Sequence, residues 1–390
     1  MERNLRLYPL YRALHGAIFW LPVFFLYFSS VLEPAQVLRL EAAYYFAVVL
    51  LEVPLGWFSD RLGRRPTLML SAACWAAGCA VFAATASWPA FLGAQLLLAA
   101  GMALNSGTDS ALLYDSLKAL DQEGRVLEFE SRAQVFALLA TGGAALVGGF
   151  AAGFDLRLGH GLSVASALGA LVIASRFAEP PRRAAPSVRS SLRQLSALPR
   201  QPALAWLLLA SVAAVVINHV PYELMQPYLD LMLRDIGGYR PTPAVAGALV
   251  GISLVVASWA SSRAQALAGA LGGPGALIAA LGLQGLLVAL LASVLHPAIA
   301  LALGLRSVPQ ALFGPILASL VHPRVDSSLR ATWLSVQSLV GRLAFSGWLA
   351  WAASSMDALD HPAMAALLWP TLMALAVTLA VLLGTRRFVR

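Results

Sequence analysis

Gly56-Trp57-Phe58-Ser59-Asp60-Arg61-Leu62-Gly63-Arg64-Arg65 stands between two long apolar runs, and its reading decides how the chain folds. An Asp and three Arg are costly inside hydrocarbon, so the stretch belongs at a membrane surface while its neighbours cross. A damaged copy lies in the second half. At Ser258-Trp259-Ala260-Ser261-Ser262-Arg263 the Trp and the first Arg recur at the same spacing, with Ser262 where the Asp stood.

Of the 390 residues, 59% are hydrophobic and 12% charged, and the mean hydropathy is +0.75. Soluble domains carry about 25% charged residues, so this composition is that of a polytopic membrane protein. Apolar runs of about 20 residues separated by polar or Pro/Gly breaks number roughly twelve. In the first half they cover 10–31, 40–57, 67–86, 89–117, 132–154 and 161–177; in the second, 203–233, 243–261, 275–295, 298–321, 332–354 and 363–383. The expected fold class is therefore all-α integral membrane, with twelve transmembrane helices in two pseudo-symmetric six-helix bundles. Residues 1–178 form one bundle, 179–201 a linker and 202–390 the other.

The formal charge of +8 does not read as nucleic-acid binding, because of where the basic residues fall. With the N-terminus inside, the inner loops collect nearly all of them, and the outer loops hold only Arg39, Arg157, Arg234 and Arg240. The positive-inside rule then places both termini in the cytoplasm of a cell whose inner membrane holds the chain. The short basic start, Met1 to Arg12, lacks a small-residue cleavage site, so the first helix is expected to be retained. Cys74 and Cys79 lie on one apolar helix and read as packing residues, and no metal-ligand spacing occurs. The chain has no P-loop, zinc motif or nucleophile elbow, so no cofactor and no catalytic residue are expected.

The linker carries Pro180, Pro181, Pro186 and Pro199 among clustered Arg, and Val188, Leu192, Leu195 and Leu198 share a helical face. A short amphipathic helix on the inner leaflet fits that pattern. The halves also repeat: Trp57 and Arg61 match Trp259 and Arg263, Pro22 matches Pro221, and Arg132-Ala133 matches Arg330-Ala331. A common offset of about two hundred residues is what carries this argument.

With that organisation the chain resembles the major facilitator superfamily over its whole length. The loop between the second and third helices matches the family signature G-x-x-x-D-R-x-G-R-R at Gly56, Asp60, Arg61, Gly63, Arg64 and Arg65. The resemblance implies alternating access, two bundles rocking about a midplane site. It also implies a conformational latch at the inner face, made by these residues and joined by an acidic residue at the inner end of the fourth helix, here Asp115. In that latch Asp60 and Asp115 close on Arg61 or Arg65. In the fifth helix the family's antiporters often carry G-x-x-x-G-P-x-x-G-G. This chain keeps Gly148-Gly149 but has Ala144-Ala145 for the Gly-Pro.

Polar groups inside spans are functional candidates because insertion at the centre costs roughly 2.5–3.5 kcal/mol or more. Asn105 and Asp109 lie four apart on one face of the fourth span. The seventh span clusters Asn218, His219, Tyr222, Glu223 and Gln226 around Pro221 and Pro227, which are expected to free backbone carbonyls. Arg306 and Gln310 repeat the spacing of four in the tenth span, and Arg342 lies inside the eleventh. Trp20 heads a set of aromatic residues in the first span, a candidate wall for a hydrophobic solute. We read Trp20, Asn105, Asn218, Tyr222, Gln226, Arg306, Gln310 and Arg342 as substrate-binding, and Asp109, His219 and Glu223 as proton-coupling. Two bland alternatives stand beside these readings: inter-bundle ion pairing for the Arg residues, and a solvated position near the outer surface for Glu223. Glu52 reads as shallow. The expected function is secondary transport of a small organic solute across a lipid bilayer, with protons as the coupled ion and no partner subunit required. Efflux of an amphipathic drug or metabolite comes first. An organic anion read by Arg306 or Arg342 is the alternative, and a transporter-like receptor without flux is more distant.

Overall fold

The computed structural model describes residues 1–181, 201–233, 235, 237–321, 323–325, 330–356 and 358–389, without the side chains of 53, 57, 60, 330–332, 334 and 335. The linker helix expected around Val188 to Leu198 lies outside the described residues. The described chain is helical throughout, and ten of its helical stretches are long and apolar enough to cross a membrane.

In chain order the helices are α1 (Glu2–Gly16), α2 (Phe24–Ser29), α3 (Pro34–Leu62), α4 (Arg64–Ala84), α5 (Trp88–Asn105), α6 (Thr108–Lys118), α7 (Val126–Ala152) and α8 (Arg157–Ser175). Then follow α9 (Pro202–Asp230), α10 (Thr242–Ser262), α11 (Ala264–Leu271), α12 (Gly273–Ser293), α13 (Pro297–Ala302), α14 (Val308–Val321), α15 (Arg330–Ala353) and α16 (His361–Thr385). They build two compact units. The first comprises Met1–Ala185 with Arg234–Gly251, the second Pro186–Leu233 with Ile252–Arg390.

Three spans expected to be continuous are interrupted. The first breaks between Gly16 and Phe24, the fourth at Ser106-Gly107, and the tenth between Ala302 and Val308, where only a short turn at Leu303–Leu305 intervenes. Pro22 explains the first, since it has no N–H to donate and its ring would clash with the preceding turn. Gly107, at φ 74°, supplies the left-handed residue on which the fourth span turns. The seventh span is continuous: α9 runs through Pro221 and Pro227, and the Ile217 carbonyl, four residues before Pro221, accepts from Gln284 Nε2 at 3.4 Å, as a carbonyl freed by the proline does.

A break in a spanning helix exposes main-chain donors and acceptors that hydrocarbon cannot satisfy. At the first break they are met by side chains. The Phe19 N–H donates to Ser163 Oγ at 3.0 Å, Ser166 Oγ donates to the Ala17 carbonyl at 2.9 Å, and Thr141 Oγ1 donates to the Gly16 carbonyl at 2.7 Å. Gly148 on α7 makes room for this bent segment, because a Cβ there would stand 2.0 Å from the Phe19 carbonyl oxygen. Its neighbour Gly149 faces another way, against Pro243 of α10, and Gly247 of α10 in turn meets the Ala145 carbonyl. The retained glycine pair thus seats two different backbones on α7. Small residues at such crossings let helices approach closely.

Gly148→Val is expected to lower the unfolding stability of the purified protein by about 1–3 kcal/mol through overpacking. Gly143→Ala, where a Cβ meets nothing within 4 Å, is expected to change it little. Thermal unfolding of both variants in detergent checks the contrast, and equal effects would contradict the packing described.

Candidate functional site

The fourth-span break holds a polar network inside the first unit. Asp109 lies in the first turn of α6 and is only 3% exposed. Its carboxylate is paired with the Arg12 guanidinium of α1. Arg12 donates its other Nη to Gln134 Oε1 on α7 at 3.0 Å. Asn105, closing α5, accepts from the Tyr11 hydroxyl at 2.8 Å and stands 3.5 Å from Asp109 Oδ2. One turn back along α1, Tyr8 donates to both oxygens of Glu130, at 3.1 and 3.2 Å. Beside the break itself, Ser106 Oγ donates to Glu52 Oε1 at 3.0 Å. Glu52 closes the apolar stretch Pro34–Glu52, and α3 continues ten residues beyond it to Leu62.

The second unit carries its counterpart at the tenth-span break. Ser307 Oγ meets Ser253 Oγ at 3.3 Å, and these two residues are separated by 54 positions, as Glu52 and Ser106 are. Arg306 occupies the place of Asn105. It is 8% exposed, its Nε has no hydrogen-bond partner among the described residues, and its guanidinium lies 5.3 Å from the centroid of the Tyr222 ring on α9. His219, one turn earlier on α9, bonds through Nδ1 to the Val215 carbonyl at 2.7 Å and packs against Phe345 of α15 at 4.9 Å. Arg342 and Arg306 both lie within electrostatic reach of the His219 ring. Asn218 keeps a buried Oδ1 with no partner among the described residues. Glu223 is 0% exposed, which rules out the solvated position considered for it, and Gln226 is buried as well. Gln310, four residues beyond Arg306, is exposed and helps line a small cavity with Pro309, Phe313 and Gln284.

The signature turn is built differently from its reading in sequence. Gly63, at φ 109°, ends α3 and opens α4 within a single residue. A Cβ there would stand 2.6 Å from Glu179 Oε1, so the glycine admits that carboxylate. Glu179 accepts from the main-chain N–H groups of Arg64 and Arg65 at 2.7 and 2.8 Å, placing an acid at the N-terminus of α4 where the helix dipole favours it. Asp115 pairs with Arg64, Nε to Oδ2 at 3.4 Å, and Arg64 also donates to Ser59 Oγ at 3.0 Å. The expected partners of Asp115 are Arg61 and Arg65; both are exposed, Arg61 in the last turn of α3 and Arg65 in the first turn of α4, with Gly56 further back on α3. The Asp60 side chain lies outside the described residues.

Trp20 is placed inside the first unit's own packing. Its indole stacks on Trp75 at 6.2 Å and on His160 at 5.9 Å, within a group of rings that includes Phe24, Tyr27 and Phe82. Arg12, Gln134, Tyr8 and Glu130 are not among the expected site residues. Spans that begin at Leu10 and Arg132 leave Tyr8 and Glu130 outside and put Arg12 and Gln134 in the first turn, whereas the helices begin at Glu2 and Val126. The signal that finds them is in the chain: Tyr8 and Arg12, and Glu130 and Gln134, are each spaced by four and so share a helix face.

The chain is a multi-pass, all-helical membrane protein with a polar break in each unit. The model of the Major Facilitator Superfamily matches residues 13–348, and the chain belongs to that family. Among solved structures it is similar to a mutant form of the nucleoside transporter NupG, with TM-score 0.81, 13% identity and 98% of each chain covered. It is also similar to the peptide transporter POT in complex with sulfate, with TM-score 0.79, 16% identity, and 99% of this chain and 95% of that one covered. A POT family transporter in complex with 5-aminolevulinic acid matches at TM-score 0.74 and 13% identity, over 100% of this chain and 96% of that one. These likenesses are of fold. No curated protein matches the chain.

Asp109→Asn strands the partly buried Arg12 and is expected to cost about 3–5 kcal/mol of stability. Adding Arg12→Gln should return most of that loss, which a double-mutant cycle of unfolding measurements reads directly. Glu179→Gln should cost about 1 kcal/mol through the weakened cap on α4. An unchanged midpoint there would mean the cap carries no stability.

Proposed function

We propose that the chain is a secondary active transporter of the inner membrane, with both termini in the cytoplasm, working as a monomer by alternating access. It exports a small organic solute in exchange for protons. The observation that carries the coupling is the buried Arg12–Asp109 pair at the fourth-span break. A carboxylate held by one guanidinium inside a spanning bundle is a place where binding a proton has a mechanical consequence. Protonation removes the charge that holds Arg12, and Arg12 must then find another acceptor. His219 and Glu223 in the second unit are further sites able to take a proton.

For the solute, two classes follow from the sequence, an amphipathic drug or metabolite and an organic anion. Trp20, half-buried and stacked with Trp75 and His160, remains the aromatic candidate for an amphipathic solute. The cationic groups of the second unit favour the anion. Around the signature turn, the Arg64–Asp115 pair and the Glu179 cap support the latch reading, in which the turn is held in one conformation and released in the other.

Reconstituted into liposomes with an imposed pH gradient, the protein is expected to move a member of a panel of cations, neutral amphiphiles and organic anions. The direction of proton-driven flux would report export or uptake. Asp109→Asn should lose gradient-driven flux while retaining counterflow exchange; gradient-driven flux at the wild-type rate would refute the coupling role. Asp60→Asn should slow cycling with binding intact and Ser262→Ala should do little, so equal damage from both would refute a one-sided latch.

A further inference from the structure

The two units can be compared position by position, because the hydrogen-bonded pairs Glu52–Ser106 and Ser253–Ser307 share one spacing and one place at a helix break. The offset between them is 201 residues. At that offset Asn105 corresponds to Arg306 and Asp109 to Gln310, just as Glu52 corresponds to Ser253. The substitutions at these three positions run in one direction, while Arg12 of the first network has Ala213 at the same offset. Both carboxylates around the first break are uncharged at the second, and the one uncharged amide has become a guanidinium. In the first unit the guanidinium of the network, Arg12, is paired with Asp109. In the second, Arg306 has lost the position from which its helix could have offered an acid one turn away.

From this charge inversion we propose, resting on the transporter reading above, that the second unit binds the carboxylate of an organic acid with a flat, aromatic body, and that Arg306 is the residue that reads it. The surroundings of Arg306 set both halves of that description. The Tyr222 ring covers one face of the guanidinium, 5.3 Å from its carbon, and Nε is left without a partner among the described residues. Nε and its neighbouring Nη form the fork that accepts a carboxylate with two parallel hydrogen bonds. A buried guanidinium cannot shed its charge at any accessible pH, so an acceptor that arrives with the solute removes a standing cost. Beside Arg306 the half-buried rings of Tyr222 and His219 stand 6.4 Å apart, backed by the fully buried Phe345 at 4.9 Å from His219. A planar body would lie against the Tyr222 and His219 rings with its acid group toward Arg306. Asn218 Oδ1, buried on the same turn of α9 without a partner among the described residues, is an acceptor for a hydroxyl or amino group on that body.

The test uses the full-length protein in nanodiscs with benzoate, benzamide, phenylphosphonate and benzyltrimethylammonium as probes, read by thermal stabilisation and tryptophan fluorescence. Benzoate is expected to bind and its neutral isostere benzamide to bind at least about tenfold more weakly. Arg306→Gln should erase that preference, Arg306→Lys should retain the charge but weaken benzoate through loss of the fork, and Tyr222→Leu should weaken both probes while keeping their order. Stronger binding of phenylphosphonate than benzoate would overturn the carboxylate assignment. Equal binding of benzoate and benzamide, preference for the cation, or no binding of benzoate at millimolar concentration would overturn the site. If Arg306→Gln does not fold, the wild-type ratio and Arg306→Lys decide. No gradient is applied, so failure of proton-driven flux leaves this result standing. Flux of cations with no benzoate binding would overturn the anion site and leave the transporter.

Discussion

Hydrocarbon offers no partner to a main-chain N–H or C=O, and the break in the first span is shaped by that fact. The first span bends only because Ser163, Ser166 and Thr141 reach the freed groups of Gly16, Ala17 and Phe19. Gly148 then lets the bent segment lie against α7. The same constraint explains where the polar side chains gather. A break must be supplied with hydrogen-bonding groups for structural reasons, and a membrane protein that has to hold charged residues anywhere holds them where polar surroundings already exist. Asn105, Asp109 and Ser106 at one break, and Arg306 and Ser307 at the other, follow this rule.

Much of the architecture was legible in the sequence. Apolar run length placed the spans, and the observed helices differ from the expected ones mainly by being longer at the arginine-rich end. That difference cost the reading most of the first unit's network. Hydropathy drops before Leu10 and before Arg132, and a window average ends a span where charged residues occur, even when one of them, such as Glu130, is bonded within the bundle. The breaks were legible only in part. Pro22 and Gly107 carry a local signal, whereas Pro221 and Pro227 carry the same signal and α9 continues through them. A proline removes one donor and strains one turn, and neighbouring side chains reach freed carbonyls in both places, Ser166 and Thr141 near Pro22 and Gln284 at the Ile217 carbonyl before Pro221, so whether the helix gives way is decided by the wider packing. Glu179 was invisible for a related reason. Composition assigns it to a linker, and only the approach of the chain after α8 to Gly63 makes it a cap.

The asymmetry between the units extends past the two breaks. At the arginine-rich end of the first unit, the carboxylates of Glu179 and Asp115 answer main-chain N–H groups and Arg64. In the second unit the corresponding turn ends α11 and opens α12 at Gly272, φ 70°, with no side-chain cap at that helix start. The tie there is of the other sign: Arg324, just past α14, donates to the Leu320 carbonyl at 2.8 Å and to the Val389 carbonyl at 2.6 Å. A carboxylate at a helix N-terminus and a guanidinium at a helix C-terminus both complement the dipole, so each unit solves the same problem with the charge it has kept. Loss of acids in the second unit is therefore tolerated structurally, because main-chain carbonyls and an aromatic face take over the pairing. What these substitutes cannot do is neutralise a guanidinium. Carbonyl oxygens solvate Arg324, and the Tyr222 ring covers Arg306, but the positive charge at Arg306 persists until an anion meets it, which is why the buried residue of the pair, not the peripheral one, is the one with a function to explain.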